Sequence, residues 1–311
     1  MKKVPSPLDV KNALPLDGQA ARQLLAQSRS AVARRLRGAE RRLLVVVRGP
    51  DVCTSSAFME FAWRLREERL AAAGSAELML GIDLRNWLVS CASGRSPEDL
   101  MYLARLKMID ALDTGLPLAL YLDDPLSWQY FNDLASWSSL DASVTESQVH
   151  RELASGLPSA VGFNCRPGEQ SVQVAMDAVR AASRPHHFIA LGPAGGCATV
   201  QTRGNPDCHV AVSGLQDLQA LDGVTGRVAQ LGDHGLPAAV FLECAGDAPL
   251  ADAAVKALAE GTTDGLIGLG LTVSTGLEPG EAGPESALRW ERCKTLLKDI
   301  RGLHERWHAL A

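Results

Sequence analysis

The chain has 311 residues, of which 46% are hydrophobic and 22% are charged, a composition typical of a globular protein with a complete core. Its formal net charge of −5 supplies no overall basic field for nucleic acid or anionic lipid. No run reaches the roughly 18 apolar residues of a membrane helix, and the seven cysteines form no C-x-x-C pair. With no signal peptide, these features predict a cytoplasmic protein that binds neither nucleic acid nor membranes.

Short apolar runs alternate with helical patterns, as in the βα units of a parallel sheet. Residues 18–38 have a helical period, the apolar run 43–47 is typical of a buried strand, and an amphipathic helix is predicted over 57–73. The weaker strand predictions are 78–84, 118–122, near 142–144, 160–163, 187–191, 238–243 and 265–271. The further helix predictions are 147–154, 171–182, 250–259 and 286–308.

One segment departs from this alternation. Residues 198–202, the turn Gly204-Asn205-Pro206 and residues 209–212 have the pattern of an inserted β-hairpin. About eight strands without a linker-like segment predict one domain over 1–311, with an N-terminal arm and helix (1–40) before a (β/α)8 barrel (41–311). Periodicity alone also allows a doubly wound sheet.

The block Thr145-Glu146-Ser147-Gln148-Val149-His150-Arg151-Glu152-Leu153-Ala154-Ser155-Gly156-Leu157 decides between these folds. It resembles, without a break, a block of the class I DAHP synthases, which condense phosphoenolpyruvate with erythrose 4-phosphate using a divalent metal. Residues 42–47, 204–209 and Trp290-Glu291 resemble other blocks of that family in order and spacing. The resemblance covers nearly the whole chain and implies a TIM barrel (α/β class) that dimerises through its N-terminal arm.

The chain departs from the family pattern at the carboxyl ends of the strands, where barrel enzymes carry their chemistry. The metal-binding cysteine of the family aligns with Pro50 or Asp51. The metal histidine and glutamate align with Gly246 and Thr272, and Glu285 stands at the fourth ligand position. Because a metal site needs several convergent ligands, the comparison with the family pattern predicts that the divalent metal is lost and that no cofactor is bound.

The phosphate-binding residues are also replaced. A family arginine aligns with Ser143, the active-site lysine with Asn164 and a glutamate with Tyr121, while Arg85 matches a family arginine only across a gap. Phosphates need charge-assisted contacts from Arg and Lys, each contributing about 1.5–3 kcal/mol. The loss of most of them predicts a large loss of affinity for both phosphorylated substrates.

Other polar residues near the strand ends would allow different chemistry. Arg166 restores one anion contact, unless it is a solvated loop arginine, and Cys165 is a nucleophile only beside a base, otherwise a buried thiol. Glu243 and Asp247 form an acid–base pair, unless they bond the backbone. The candidate residues of the barrel mouth are Asp83, Arg85, Asp123, Asn164, Cys165, Arg166, Glu243, Asp247 and Glu285.

A second candidate site follows from the resemblance alone. In many family members an aromatic amino acid binds beside the hairpin as a feedback inhibitor. Gln129, Phe188 and Val200 match residues that line that pocket, whereas Pro158 and Ala190 replace two of its serines. The resemblance therefore implies an effector-like pocket without fixing the amino acid that it takes.

Three hypotheses of function follow. The first is a non-catalytic homologue that binds a small molecule or a partner, forms a dimer or tetramer, and pairs with a catalytically complete homologue. The second is an enzyme of specialised metabolism, repurposed for a small, less phosphorylated substrate. The third is a working 3-deoxy-7-phosphoheptulonate synthase of aromatic amino-acid biosynthesis with a rearranged site. A pocket with converging polar groups at the strand ends favours the second hypothesis, and a collapsed apolar mouth favours the first.

Overall fold

The computed structural model describes residues 4–52, 56–85, 96–274 and 287–309, with the backbone alone for 304–309. The strands are β1 (Leu43–Arg48), β2 (Ala76–Asp83), β3 (Leu118–Leu122), β4 (Ala135–Leu140), β5 (Ala160–Cys165), β6 (His187–Leu191), β7 (Cys197–Gln201), β8 (Cys208–Ser213), β9 (Val240–Ala245), β10 (Leu266–Ser274) and β11 (Leu288–Arg289). The helices are α1 (Pro7–Ala13), α2 (Gln19–Leu36), α3 (Phe58–Ala71), α4 (Pro97–Asp113), α5 (Ser127–Phe131), α6 (Gln148–Ala154), α7 (Glu169–Ala182), α8 (Leu218–Val228), α9 (Ala248–Glu260) and α10 (Trp290–Ala309), with a 3-10 turn at Ala229–His234.

Eight parallel strands form a closed barrel in the order β1-β2-β3-β4-β5-β8-β9-β10, and β1 pairs with β10 to complete it. Because successive side chains of a strand point to opposite faces, Leu44 and Val46 of β1 pack with Trp137 and Phe241 in one cluster, while Leu43, Val45 and Val47 belong to the larger cluster that includes the helices. Both faces of the strands are therefore buried, which accounts for their apolar sequences. The predicted (β/α)8 fold is confirmed.

The N-terminal arm is held against the side of the barrel. Ser6 caps α1 in a capping box with Asp9, which satisfies amide groups at the start of this short helix. The Tyr130 hydroxyl donates to the Pro5 carbonyl at 2.8 Å, and the Leu8 amide donates to the Pro193 carbonyl, also at 2.8 Å. The arm thus contacts both α5 and the loop between β6 and β7.

Two strand predictions are wrong. The strand near 142–144 is a turn, and the fourth barrel strand is β4, whose buried serines (Ser136, Ser138 and Ser139) conceal it from an apolar pattern. The hairpin does not join 198–202 to 209–212; instead β7 pairs antiparallel with β6, and β8 belongs to the barrel. Despite its apolar composition, β6 lies at the surface, and its Ile189 is 75% exposed.

None of the described helices has the length and hydropathy required to cross a bilayer.

Candidate functional site

A buried ion pair lies inside the mouth of the barrel. Arg48, the last residue of β1, is only 9% exposed, and its Nη2 donates to Oε2 of Glu243 on β9 at 3.0 Å. The Tyr121 hydroxyl of β3 donates to Oε1 of the same carboxylate at 2.7 Å. A Cβ at Gly270 would lie 2.5 Å from Oε2 of Glu243, so the glycine of β10 makes room for this carboxylate. Three strands are thereby joined across the mouth.

The electrostatics of this group favour fixed protonation states. Burial is the largest influence on Arg48 and disfavours its charged form, but the Glu243 carboxylate together with Tyr121 and Asp83 outweighs burial, and the pKa of Arg48 is raised overall. Burial and the negative charge of Glu243 raise the pKa of Tyr121 well above its usual value. Tyr121 is consequently a neutral donor at physiological pH and is unsuited to act as a base.

A second cation at the mouth is also held by carboxylates. Arg85, just after β2, donates from Nε and Nη2 to the Asp83 carboxylate at 2.9 and 2.5 Å, and from Nη1 to Oδ2 of Asp141 at 2.9 Å. The hydrogen bonds with Asp83 are the largest cause of the raised pKa of Arg85. Arg48 and Arg85 therefore each share their charge with carboxylates of the chain, and only Nε of Arg48 is left as a buried donor without a partner among the described residues.

The predicted acid–base pair is not brought together in the described structure. Glu243 accepts from Arg48 and Tyr121, whereas the Asp247 carboxylate caps α9 by accepting from the Leu250 amide at 3.0 Å. For Asp247, the alternative of a backbone contact is the one observed.

The remaining candidates are dispersed. Cys165 is 1% exposed and burial raises the pKa of its thiol to about 12, which disfavours a nucleophilic thiolate. Arg166 is exposed and forms no ion pair with any described residue. The backbone carbonyl of Asp123 lies 3.2 Å from Nε2 of His150. Asn164 is buried against a cavity between β4, β5 and α7, and Glu285 lies outside the described residues.

The residues described at the mouth do not fit a divalent metal. Gly246 has no side chain to offer, Thr272 carries only a hydroxyl, and Arg48 places a positive charge in the same region. Within the described part of the chain, no group of three His, Cys, Asp or Glu residues is arranged to hold a metal ion. The side chains that the structure places at these positions therefore do not supply the convergent ligands of a metal site.

The three residues of the effector-like pocket do lie together. Gln129, Phe188 and Val200 line one cavity of about 480 Å³ between α5, α6 and the hairpin. Trp128 lines it as well, is 1% exposed, and its indole Nε1 has no hydrogen-bond partner among the described residues. The cavity combines an aromatic and aliphatic wall with an uncommitted donor, and Thr202 of its lining is tied to Ser155 by a 2.6 Å hydrogen bond.

Neither Arg48 nor Trp128 was predicted from the sequence as a site residue, and Tyr121 was predicted only as a replacement for a family glutamate. Arg48 ends an otherwise apolar strand. This unusual position for an arginine is the sequence feature that could have identified it. Trp128 immediately precedes Gln129, so the resemblance at Gln129 could have directed attention to it.

Comparison with protein families matches residues 27–231 to the model described as "DAHP synthetase I family". The chain is 35% identical over 220 residues to the "Phospho-2-dehydro-3-deoxyheptonate aldolase, Tyr-sensitive" of Escherichia coli K12, covering 67% of this chain and 61% of that protein. It is 32% identical over 255 residues to the Phe-sensitive protein of the same organism, covering 78% and 72%.

Among solved structures, the phospho-2-dehydro-3-deoxyheptonate aldolase of Francisella tularensis SCHU S4 superposes with a TM-score of 0.85. The superposition covers 98% of both chains at 22% sequence identity. At this identity the likeness concerns the fold, and it agrees with the closed barrel described above.

Proposed function

Because the chain belongs to the DAHP synthetase I family, we propose that it is a member without the DAHP condensation, which instead binds a small ligand beside its hairpin. The observation that carries the first half is the Arg48–Glu243 pair inside the barrel mouth. A phosphate that took Arg48 would leave the Glu243 carboxylate buried without its cation, which costs several kcal/mol. Arg85, already shared between Asp83 and Asp141, meets the same obstacle.

The second half of the proposal rests on the cavity that Gln129, Phe188 and Val200 line. Its volume of about 480 Å³ lies within the range of ligand pockets, about 300–1,000 Å³. A buried indole N–H without a partner is costly unless a ligand accepts its hydrogen bond, so Trp128 favours a ligand with a carboxylate or carbonyl oxygen. Phe188 offers an aromatic contact. An aromatic amino acid supplies both features.

Isothermal titration of the full chain with L-phenylalanine, L-tyrosine and L-tryptophan tests this ligand class. We expect at least one to bind, and Gln129→Leu to weaken that binding about tenfold, equivalent to one good polar contact. Gln19→Leu, on the exposed start of α2, is the matched control and should bind as the parent does. No heat from any of the three at 5 mM would contradict the ligand class.

A second candidate function is 3-deoxy-7-phosphoheptulonate synthesis, which the names of the relatives favour. A phosphate-release assay with phosphoenolpyruvate and erythrose 4-phosphate, with and without Mn²⁺ or Co²⁺, separates the two candidates. We expect no turnover, and no stoichiometric transition metal in elemental analysis after mild chelation. Turnover within tenfold of an ordinary enzyme's median of about 10 per second would establish the second candidate instead.

Self-association is the remaining part of the proposal. Leu8 of the arm is 44% exposed and Ile189 of the hairpin 75%. Single exposed apolar side chains are common on any protein surface, so the support for a contact here is the resemblance, which implies dimerisation through the arm. Light scattering should show a dimer or tetramer that the double variant Leu8→Asp, Ile189→Asp dissociates, whereas Leu106→Asp on α4 does not. A parent chain that is monomeric at tens of micromolar would contradict this, and with it the predicted pairing with a catalytically complete homologue.

A further inference from the structure

The cavity between the ends of β4 and β5 and the start of α7 is a further place with uncommitted polar groups. It has a volume of about 410 Å³, and its lining includes Glu146, Asn164, Gly168 and Ser171. It shares no lining residue with the cavity beside the hairpin. The two cavities are consequently separate sites.

Asn164 provides the first observation that points to a ligand. The residue is 7% exposed, and its side-chain Oδ1 is buried without a hydrogen-bond partner among the described residues. Its backbone carbonyl, by contrast, accepts from the Thr145 hydroxyl at 2.7 Å. A buried acceptor without a donor costs free energy, so the carboxamide that lines this cavity favours a ligand that brings an N–H or O–H donor.

The start of α7 provides the second observation. Gly168 precedes the helix with φ +126°, a conformation that side chains rarely adopt, and no side chain caps α7. The first amide groups of a helix have no partner within it. Residues 169–171 carry those amides and line the same cavity. Uncapped amides at a helix N-terminus favour an anionic group of a ligand.

The charged residues around the cavity indicate which anionic group and which hydrogen-bond donor a ligand would carry. The lining contains neither Arg nor Lys, which disfavours a phosphate, because phosphates need cationic partners. Glu146 is exposed at the cavity, whereas Glu169 is paired with Arg227. A carboxylate near Asn164 favours an ammonium group as the donor. Ala142, Pro167 and Val174 complete the lining with apolar surface.

We propose that this cavity binds a small aliphatic α-amino acid, with its carboxylate at the amides of α7 and its ammonium group between Asn164 and Glu146. The ligand class differs from that of the hairpin cavity because this lining contains no aromatic side chain. The site adds a second ligand to the proposed function and does not depend on it.

Isothermal titration of the full chain at pH 7 with three ligands of one carbon skeleton tests the proposal. L-Valine carries the ammonium group, 2-hydroxyisovalerate replaces it with a hydroxyl, and isovalerate lacks it. We expect L-valine to bind with a low-millimolar Kd and isovalerate at least tenfold more weakly. Asn164→Leu should weaken L-valine at least tenfold, Glu146→Gln about threefold, and Gln129→Leu, in the other cavity, less than twofold.

Several results would overturn the proposal. These are equal affinity for L-valine and isovalerate, tighter binding of inorganic phosphate than of L-valine, no heat from L-valine at 20 mM, or loss of its binding in Gln129→Leu. If circular dichroism shows that Asn164→Leu is unfolded, the exposed Glu146→Gln variant carries the test, and unchanged affinity there counts against the site. The condensation assay plays no part in these outcomes, so the two proposals fail separately.

Discussion

At the barrel mouth, Nη2 of Arg48 and the Tyr121 hydroxyl both donate to the Glu243 carboxylate, so that only Nε of Arg48 is left without a described partner, whereas beside the hairpin the buried N–H of Trp128, a residue that lines the cavity, has none at all. One region lies inside the barrel and the other between helices and the hairpin outside it, and both contain buried polar groups. The difference is where the partner comes from. A mouth that satisfies its own charges gains structural rigidity but has little attraction for an anionic substrate, while an unsatisfied cavity gains free energy only when a ligand enters.

The largest expected effect comes from breaking the pair at the mouth. Arg48→Met leaves the Glu243 carboxylate buried without its cation, and we expect a loss of about 3–5 kcal/mol in the free energy of unfolding, measured with urea. Arg64→Met is the matched control, because Arg64 and Glu60 form an exposed pair on α3, worth about 0–1 kcal/mol. Equal losses in the two variants would mean that the mouth is hydrated and open.

His209, buried inside the barrel below the mouth, should stay neutral at pH values where a free histidine is protonated. Burial lowers the pKa of His209 to about 4, and the Trp137 indole donates to its Nε2 at 3.1 Å. Since a histidine in the unfolded chain has a pKa of about 6.5, the unfolded state binds more protons than the folded state between pH 4 and pH 6.5. The free energy of unfolding is therefore fully retained above pH 6.5 and falls by roughly 3 kcal/mol as the pH decreases towards 4.

Urea unfolding at pH 7 and pH 4.5 measures this loss. His209→Gln keeps an acceptor for Trp137 but does not titrate. Between pH 7 and pH 4.5 it should lose about 2–3 kcal/mol less of its free energy of unfolding than the parent does. His187→Gln, at an exposed position on the hairpin, should behave as the parent. Identical pH dependence in His209→Gln and the parent would show that water reaches the interior.

Cysteine labelling compares the two regions directly. Cys165, at the mouth end of β5, is buried with its pKa raised to about 12, whereas Cys197 is exposed on the hairpin. Because the thiolate is the reactive form, iodoacetamide at pH 8 should alkylate Cys197 at least about 100-fold faster, as followed by peptide mass spectrometry. Both should react alike in 8 M urea. Rapid labelling of native Cys165 would instead revive its role as a nucleophile.

The smallest expected effect concerns the hairpin side. The Gln129 carboxamide forms no hydrogen bond with any described residue, so Gln129→Leu should change the free energy of unfolding by no more than about 0.5 kcal/mol. The same change is expected to weaken ligand binding. A loss of stability comparable to that of Arg48→Met would show that Gln129 has a structural role and would remove the contrast between the regions.

Much of the fold could be predicted because its evidence is local. The apolar run of β1 and the bounds of β3 follow from composition over a few residues. The block from Thr145 to Leu157 indicated the barrel through its resemblance to a family. The serine-rich β4 was missed, since burial on both faces is usually accompanied by apolar residues and its hydroxyls conceal that burial.

By itself, the sequence determined the family, the barrel and the three residues that line the hairpin cavity, because each depends on residue identity at positions near one another or on a matched motif. Only the tertiary structure decided that Arg48 meets Glu243, 195 residues away, that β7 pairs with β6, and that Nε1 of Trp128 and Oδ1 of Asn164 have no partner among the described residues. Barrel closure brings the ends of distant strands to one place, and a polar group is satisfied or left unsatisfied only by the neighbours that it meets there.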